Sequence, residues 1–157
     1  MSLELIFSGA NLFVLPFWGL MLLVPRWNIT RRIMSSYLPF VALALVYLYL
    51  FVVSLDPQTI ETFSDPQLKL ADLAQLFAQE KVTATGWVHF LVMDLFVGRW
   101  VYQRSLELNI WFRHSLLLCF FAGPLGLLCH FITETLSQKF WPQPEEAAAA
   151  ESVSAGS

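Results

Sequence analysis

Residues 87–100 read WVHFLVMDLFVGRW, a run of bulky apolar side chains interrupted by His89, Asp94 and Arg99. Stripped of those three, the stretch is the middle of a membrane helix. Ionisable groups at bilayer depth are costly, so they turn toward a bundle interior and take partners there. The stretch therefore implies other helices packed around it.

The flanking sequence supplies them. Of 157 residues, 57% are hydrophobic and 15% aromatic while only 13% are charged, far from the balance of a soluble domain. Four apolar windows, at about residues 3–24, 33–55, 84–103 and 115–136, each approach the ~20 residues that a helix needs to cross hydrocarbon. The predicted fold is all-α and polytopic, with four transmembrane helices in one membrane domain over residues 1–140. Between the second and third spans, DPQLKLADLAQLFAQE spaces Leu68, Asp72 or Leu73, Leu76 and Phe77 by threes and fours after Asp65-Pro66. That pattern predicts a short amphipathic helix at the membrane surface, either a plain cover or a lid. Residues 141–157 are acidic, small and Pro-flanked, and read as a disordered tail.

Other classes are excluded by the same inventory. A net charge of −3 offers no basic surface to nucleic acid, and no glycine-rich phosphate loop is present. Cys119 and Cys129 lie on different sides of one window and do not read as a disulfide framework. The first window has no basic residue before it and no small-residue cleavage pattern after it, so it reads as a retained helix. With no Arg- and Ser-rich transit segment ahead of it, a bacterial source is expected.

Orientation follows from Arg26, Arg31 and Arg32 in the first connection and Arg104 and Arg113 in the third. Both connections are expected on the cytoplasmic side. Both termini then lie on the non-cytoplasmic side of a bacterial inner or thylakoid membrane.

His89, Asp94 and Arg99 follow one another at intervals of five residues, and each interval turns a helix by ~140°. They do not share a face. The fourth window supplies a counterpart stripe, Gly123, Gly126, His130 and Glu134, with Pro124 expected to kink the helix and free a carbonyl. On the third helix the matching stripe is Trp87, Leu91, Asp94 and Gly98, and its small residue predicts that the two stripes face each other. The fourth helix is expected to run back antiparallel to the third, so that His89 and His130 stand at about the same level in the outer half of the bilayer. The candidate catalytic set is Asp94, His130, His89 and Arg99, weighed against a structural clamp between helices and, for Arg99, snorkelling to the headgroups. Trp87, Gly98, Gly123, Pro124, Gly126 and Asn11 are the expected packing or pocket residues, Asn11 as an interhelical hydrogen bond or a further member of the site. No metal and no cofactor is expected, since three histidines cannot furnish a di-iron ligand set and His130 with Glu134 would hold an ion only weakly.

GWVHFLVMDLFVGRWVYQ followed by RHSLLLCFFAGPLGLLCHFIT, together with NLFVLPFWGLMLLVP near the start, resembles the abscisic-acid-deficient-four family of small plastid and bacterial membrane proteins. The likeness covers about residues 5–136, and W-x-H, D-L-F-x-G-R-W and G-P-L-G are its distinguishing features. The resemblance implies a carotenoid or other prenyl-lipid partner within membrane lipid. It also implies neoxanthin synthesis, in which the epoxide violaxanthin becomes an allene without redox change. An intramolecular isomerase of that kind needs an acid at the epoxide oxygen and a base for a carbon-bound proton. A non-catalytic pigment- or lipid-binding assembly factor is the alternative, and a small proton-coupled carrier, which would require an oligomer, is a third.

Overall fold

The computed structural model describes residues 2–140, all of whose regular elements are helices. In chain order these are α1 (Leu3–Leu23), α2 (Asn28–Ser35), α3 (Leu38–Ser54), α4 (Pro57–Ser64), α5 (Leu70–Phe77), α6 (Glu80–Glu107), α7 (Arg113–Phe121) and α8 (Gly123–Phe140). The acidic tail expected at 141–157 lies outside the described residues. The chain divides into two compact units, one through Phe96 and one from Val97, with α6 contributing to both.

In the first unit, Ser2 caps α1 by accepting the Leu5 N–H at 3.3 Å, satisfying one of the donors a helix start leaves open. Its inward stripe, Ile6, Ala10, Val14, Trp18 and Met21, steps by fours and then three, as one face of a helix must. Opposite, Leu12 and Leu23 are 69% and 76% exposed. The second apolar window is filled mainly by α3, and α2, which carries Arg31 and Arg32 of the first connection, meets it at 44° where Ser36 adopts an extended backbone and Pro39 opens the next helix. Two short helices, rather than one, follow α3. Asp56 caps α4 by accepting the Thr59 N–H at 2.8 Å, and the Asp72 carboxylate accepts the Lys69 N–H at 3.1 Å at the start of α5. By length and apolarity, α1 and the α2–α3 pair could cross a bilayer. At 28 residues α6 is long enough to do so, but carries His89, Asp94 and Arg99 along its length.

The second unit departs from expectation. Window 115–136 is not one helix: α7 ends at Phe121, Ala122 is extended (φ −161°, ψ 99°), and α8 begins at Gly123. Pro124 disfavours helical backbone at the residue before it and cannot donate back into the turn. The chain then folds back on itself. His114 of α7 meets Thr133 of α8 at 2.8 Å, and a Cβ placed on Gly126 would stand 2.7 Å from the Cys119 Cα, so α7 and α8 form a tight antiparallel hairpin. Asn109, in the left-handed region at φ 51°, ends α6 and turns the chain into α7, with the Ile110 N–H donating to the Ser105 carbonyl at 3.1 Å. Two reversals in succession leave α8 running parallel to the C-terminal part of α6. Trp100 pairs with His130 and Arg104 with Glu134 at the same thirty-residue offset, which corrects the antiparallel return expected from the sequence.

Candidate functional site

Each unit carries a candidate site. In the first, α3, α4, α5 and α6 enclose a chamber of about 320 Å³. Tyr47 and Phe51 come from successive turns of α3, Phe63 from α4, Phe77 from α5, and His89 and Phe90 from α6. Tyr47 and Phe51 stack at 5.8 Å and 26°, and the His89 ring lies 5.7 Å from that of Tyr47. Phe77 packs close because Gly86 opposite it has no side chain; a Cβ there would come within 2.8 Å of Phe77 Cε1. The Thr83 hydroxyl donates to the Phe77 carbonyl and secures the end of α5.

One end of the chamber is polar. Ser54 Oγ and Thr85 Oγ1 lie 3.0 Å apart, and they donate to the Lys81 carbonyl at 3.1 and 2.8 Å. Thr59, only 2% exposed, has a hydroxyl without a hydrogen-bond partner among the described residues. Just outside, Lys81 forms an ion pair with Asp56. The Lys81 ammonium first and the Thr59 N–H second hold the Asp56 carboxyl down at about 2, below its ordinary 3.8. The Thr59 hydroxyl lies near this carboxylate and lowers it further.

In the second unit, Arg104 donates to Glu134 Oε1 through Nε at 3.1 Å and through Nη2 at 2.7 Å. The other oxygen of Glu134 lies 3.4 Å from Nε2 of His130, whose fully buried ring meets Trp100 edge to face at 5.4 Å. Neither ring nitrogen of His130 makes a well-aligned hydrogen bond among the described residues. Trp100, Arg104, Phe131 and Glu134 border an open cleft of about 540 Å³.

The sequence candidates distribute across these features. His89 is on the chamber wall and Asp94 is half-buried further along α6, both in the first unit. Arg99 and His130 belong to the second, where Arg99 is 8% exposed, buried rather than extended to a surface. Two members of the stripes have neighbours within their own units. Gly126 lies against Cys119 of α7, and Trp87 turns to α1, where its indole N–H donates to Asn11 Oδ1 at 3.0 Å and its ring lies 5.9 Å from Phe7. Asn11 thereby makes an interhelical hydrogen bond, as one of its two readings held. Gly98 and Gly123 are buried, and Pro124 is exposed at the hairpin turn. Sequence reasoning missed Arg104 as the partner of Glu134, and it missed every chamber residue except His89. The i, i+4 pair Tyr47 and Phe51 was the one available signal, and it is indistinguishable from ordinary packing. Among the described residues no three of His, Cys, Asp and Glu come together as a metal site.

A sequence profile described as ABA DEFICIENT 4-like matches residues 5–130. The chain is also similar to Protein ABA DEFICIENT 4, chloroplastic, of Arabidopsis thaliana, with 37% identity over 134 residues. That alignment covers 83% of this chain and 61% of the relative, so the chain spans about three-fifths of the relative's length. No solved structure matches.

Proposed function

The chain belongs to the ABA DEFICIENT 4-like family, and from that premise we propose that it is a membrane protein of carotenoid metabolism that isomerises the epoxide end of a xanthophyll. Membrane embedding is supported by the apolar surface of α1 and α3, where Leu12, Leu23, Leu38, Leu45 and Val52 are all at least 59% exposed. Burying such residues takes lipid or further protein. The cytoplasmic placing of the arginine-bearing connections and the outward termini belong to the same proposal.

The observation that carries the functional reading is the aromatic chamber. At about 320 Å³ it is at the lower end of the ~300–1,000 Å³ typical of small-molecule sites, which suits one ring end of a carotenoid rather than the entire polyene. Stacked aromatic walls favour such a ring through dispersion and apolar burial. Conversion of an epoxide to an allene breaks one ring C–O bond, adds a proton to the oxygen and removes one from the adjacent chain carbon. Atoms and electrons balance without an oxidant. The imidazole of His89, set in the apolar wall, has one ring nitrogen that can accept a proton and one that can donate, and is suited to move that proton. Asp94, His130 and Arg99 are carried in the proposal as further acid–base and charge-stabilising groups.

One observation favours a second reading, a pigment holder without chemistry: none of the residues lining the chamber is a carboxylate. Expression in a host that accumulates violaxanthin separates the two. The isomerase reading expects neoxanthin to appear at the expense of violaxanthin, with His89→Phe and Asp94→Asn each lowering conversion at least tenfold while the protein still reaches the membrane. Bound pigment with an unchanged pigment profile would establish the holder reading instead, and neither pigment nor turnover would sink both.

A further inference from the structure

We propose that the outer face of α2, with the turn before it, binds the headgroup of an anionic membrane lipid. The inference rests on the reading of the chain as a membrane protein.

Its starting point is a long stretch without negative charge. Residues 5–55 contain no Asp or Glu, yet Arg26, Arg31 and Arg32 lie near the middle of it. Glu4 and Asp56, which bound the stretch, sit at the far ends of α1 and α3, helices of 21 and 17 residues. At ~1.5 Å per residue that puts them ~30 and ~25 Å from the arginine end, several Debye lengths in physiological salt. All three arginines are exposed, and none makes an ion pair or a side-chain hydrogen bond among the described residues.

The fold fixes where these charges point. At the end of α1 the Val24 carbonyl accepts the Trp27 N–H at 3.1 Å and the Thr30 hydroxyl at 2.9 Å. Thr30 and Met34, one turn apart, are fully buried, so α2 rests on that side. At ~100° per residue, Asn28, Arg31, Arg32 and Ser35 then share an arc of ~100° on the opposite side. All four are exposed. A guanidinium only donates, and the group that answers it best is an oxyanion, gripped by two parallel N–H donors.

A second observation selects a lipid over a free anion. The arc borders bulky apolar surface: Leu23 closes α1 and Leu38 opens α3, and they are 76% and 75% exposed. Trp27 and Tyr37, on either side of α2, are also exposed, and such rings favour headgroup depth. Donors beside apolar surface suit an amphiphile with an anionic head and acyl chains. Free phosphate would leave the apolar surface uncovered, and a zwitterionic lipid would bring its own cation to the arginines.

The test titrates the full chain in neutral detergent with short-chain phosphatidylglycerol or phosphatidylcholine and counts bound lipid by native mass spectrometry. Phosphatidylglycerol is expected to bind at least about tenfold more tightly, each arginine contributing roughly fivefold. Replacing the pair, Arg31→Gln with Arg32→Gln, should bring the two lipids to within about threefold. It should leave phosphatidylcholine affinity and the lipid-free melting temperature unchanged, since neither side chain has a protein partner to lose. Arg113→Gln, which removes an exposed arginine resting over Trp111 at 5.9 Å, should leave the preference intact. Equal binding of both lipids by a chain that needs detergent overturns this inference while the membrane reading stands. So does an Arg113→Gln variant as impaired as the pair, which would reduce the effect to general surface charge. Displacement of phosphatidylglycerol by inorganic phosphate at comparable concentration would assign the arc to a free anion and overturn the lipid. A chain that stays in solution without detergent and binds neither lipid takes the membrane reading down with the inference.

Discussion

Gly126 shows how much one missing methyl group decides in this chain. Its Cα faces the backbone of Cys119 across the α7–α8 turn, where an added Cβ would stand 2.7 Å from the Cys119 Cα. Backbone cannot rotate aside as a side chain can, so Gly126→Ala should lower stability by about 1–3 kcal/mol, the usual cost of forcing volume into a packed core. Thermal unfolding in detergent measures it, and an unchanged midpoint would show that the hairpin does not close this tightly. Gly9 and Gly19 provide the internal control, since a Cβ on either meets nothing within 4 Å. Alanine there should be neutral or slightly stabilising in helix interior. The contrast also explains why counting small residues in G-P-L-G found a close contact but not its partner.

Among the helices, α4 is tied to α6 by the ion pair of its cap Asp56 with Lys81, which makes its docking sensitive to pH. Asp56 caps α4, pairs with Lys81 and is held at about 2 against an ordinary 3.8. A depressed carboxyl stabilises the fold fully above its unfolded value, and that contribution fades as pH falls through the folded one. The docking of α4 should therefore be constant above about pH 4 and weaken between 3.8 and about 2. Amide hydrogen exchange over Pro57–Ser64 should accelerate in that window relative to α1, and Asp56→Asn should remove the acceleration. Exchange that is flat with pH in the unaltered protein would show that the ion pair does not fasten α4. Because α4 supplies Thr59 and Phe63 to the chamber, loosening it should also weaken ring binding.

For the molecule as a whole, the distribution of exposed apolar residues on α1 and α3 predicts a membrane-fraction protein that resists extraction by alkaline carbonate. Release into the soluble fraction would remove the membrane reading. Much of the helical organisation was readable from the chain alone. Apolar windows 3–24 and 84–103 became Leu3–Leu23 and Glu80–Glu107, because helix formation answers to local periodicity and to caps such as Ser2. The separation of His89, Asp94 and Arg99 onto different faces of α6 is likewise fixed by helix pitch, whatever surrounds it. Partner choice was not readable. Pro124 announced a bend, but whether the chain kinks or reverses at Ala122 depends on whether Cys119 and Gly126 can pack together, a contact across the turn. The same holds for Trp87 with Asn11, for Glu134 with Arg104, and for a chamber whose walls come from four helices. Pitch and capping are properties of neighbours in sequence, so composition and spacing encode them. Which faces meet depends on the joint packing of surfaces far apart in the chain, and only folding brings those surfaces into contact.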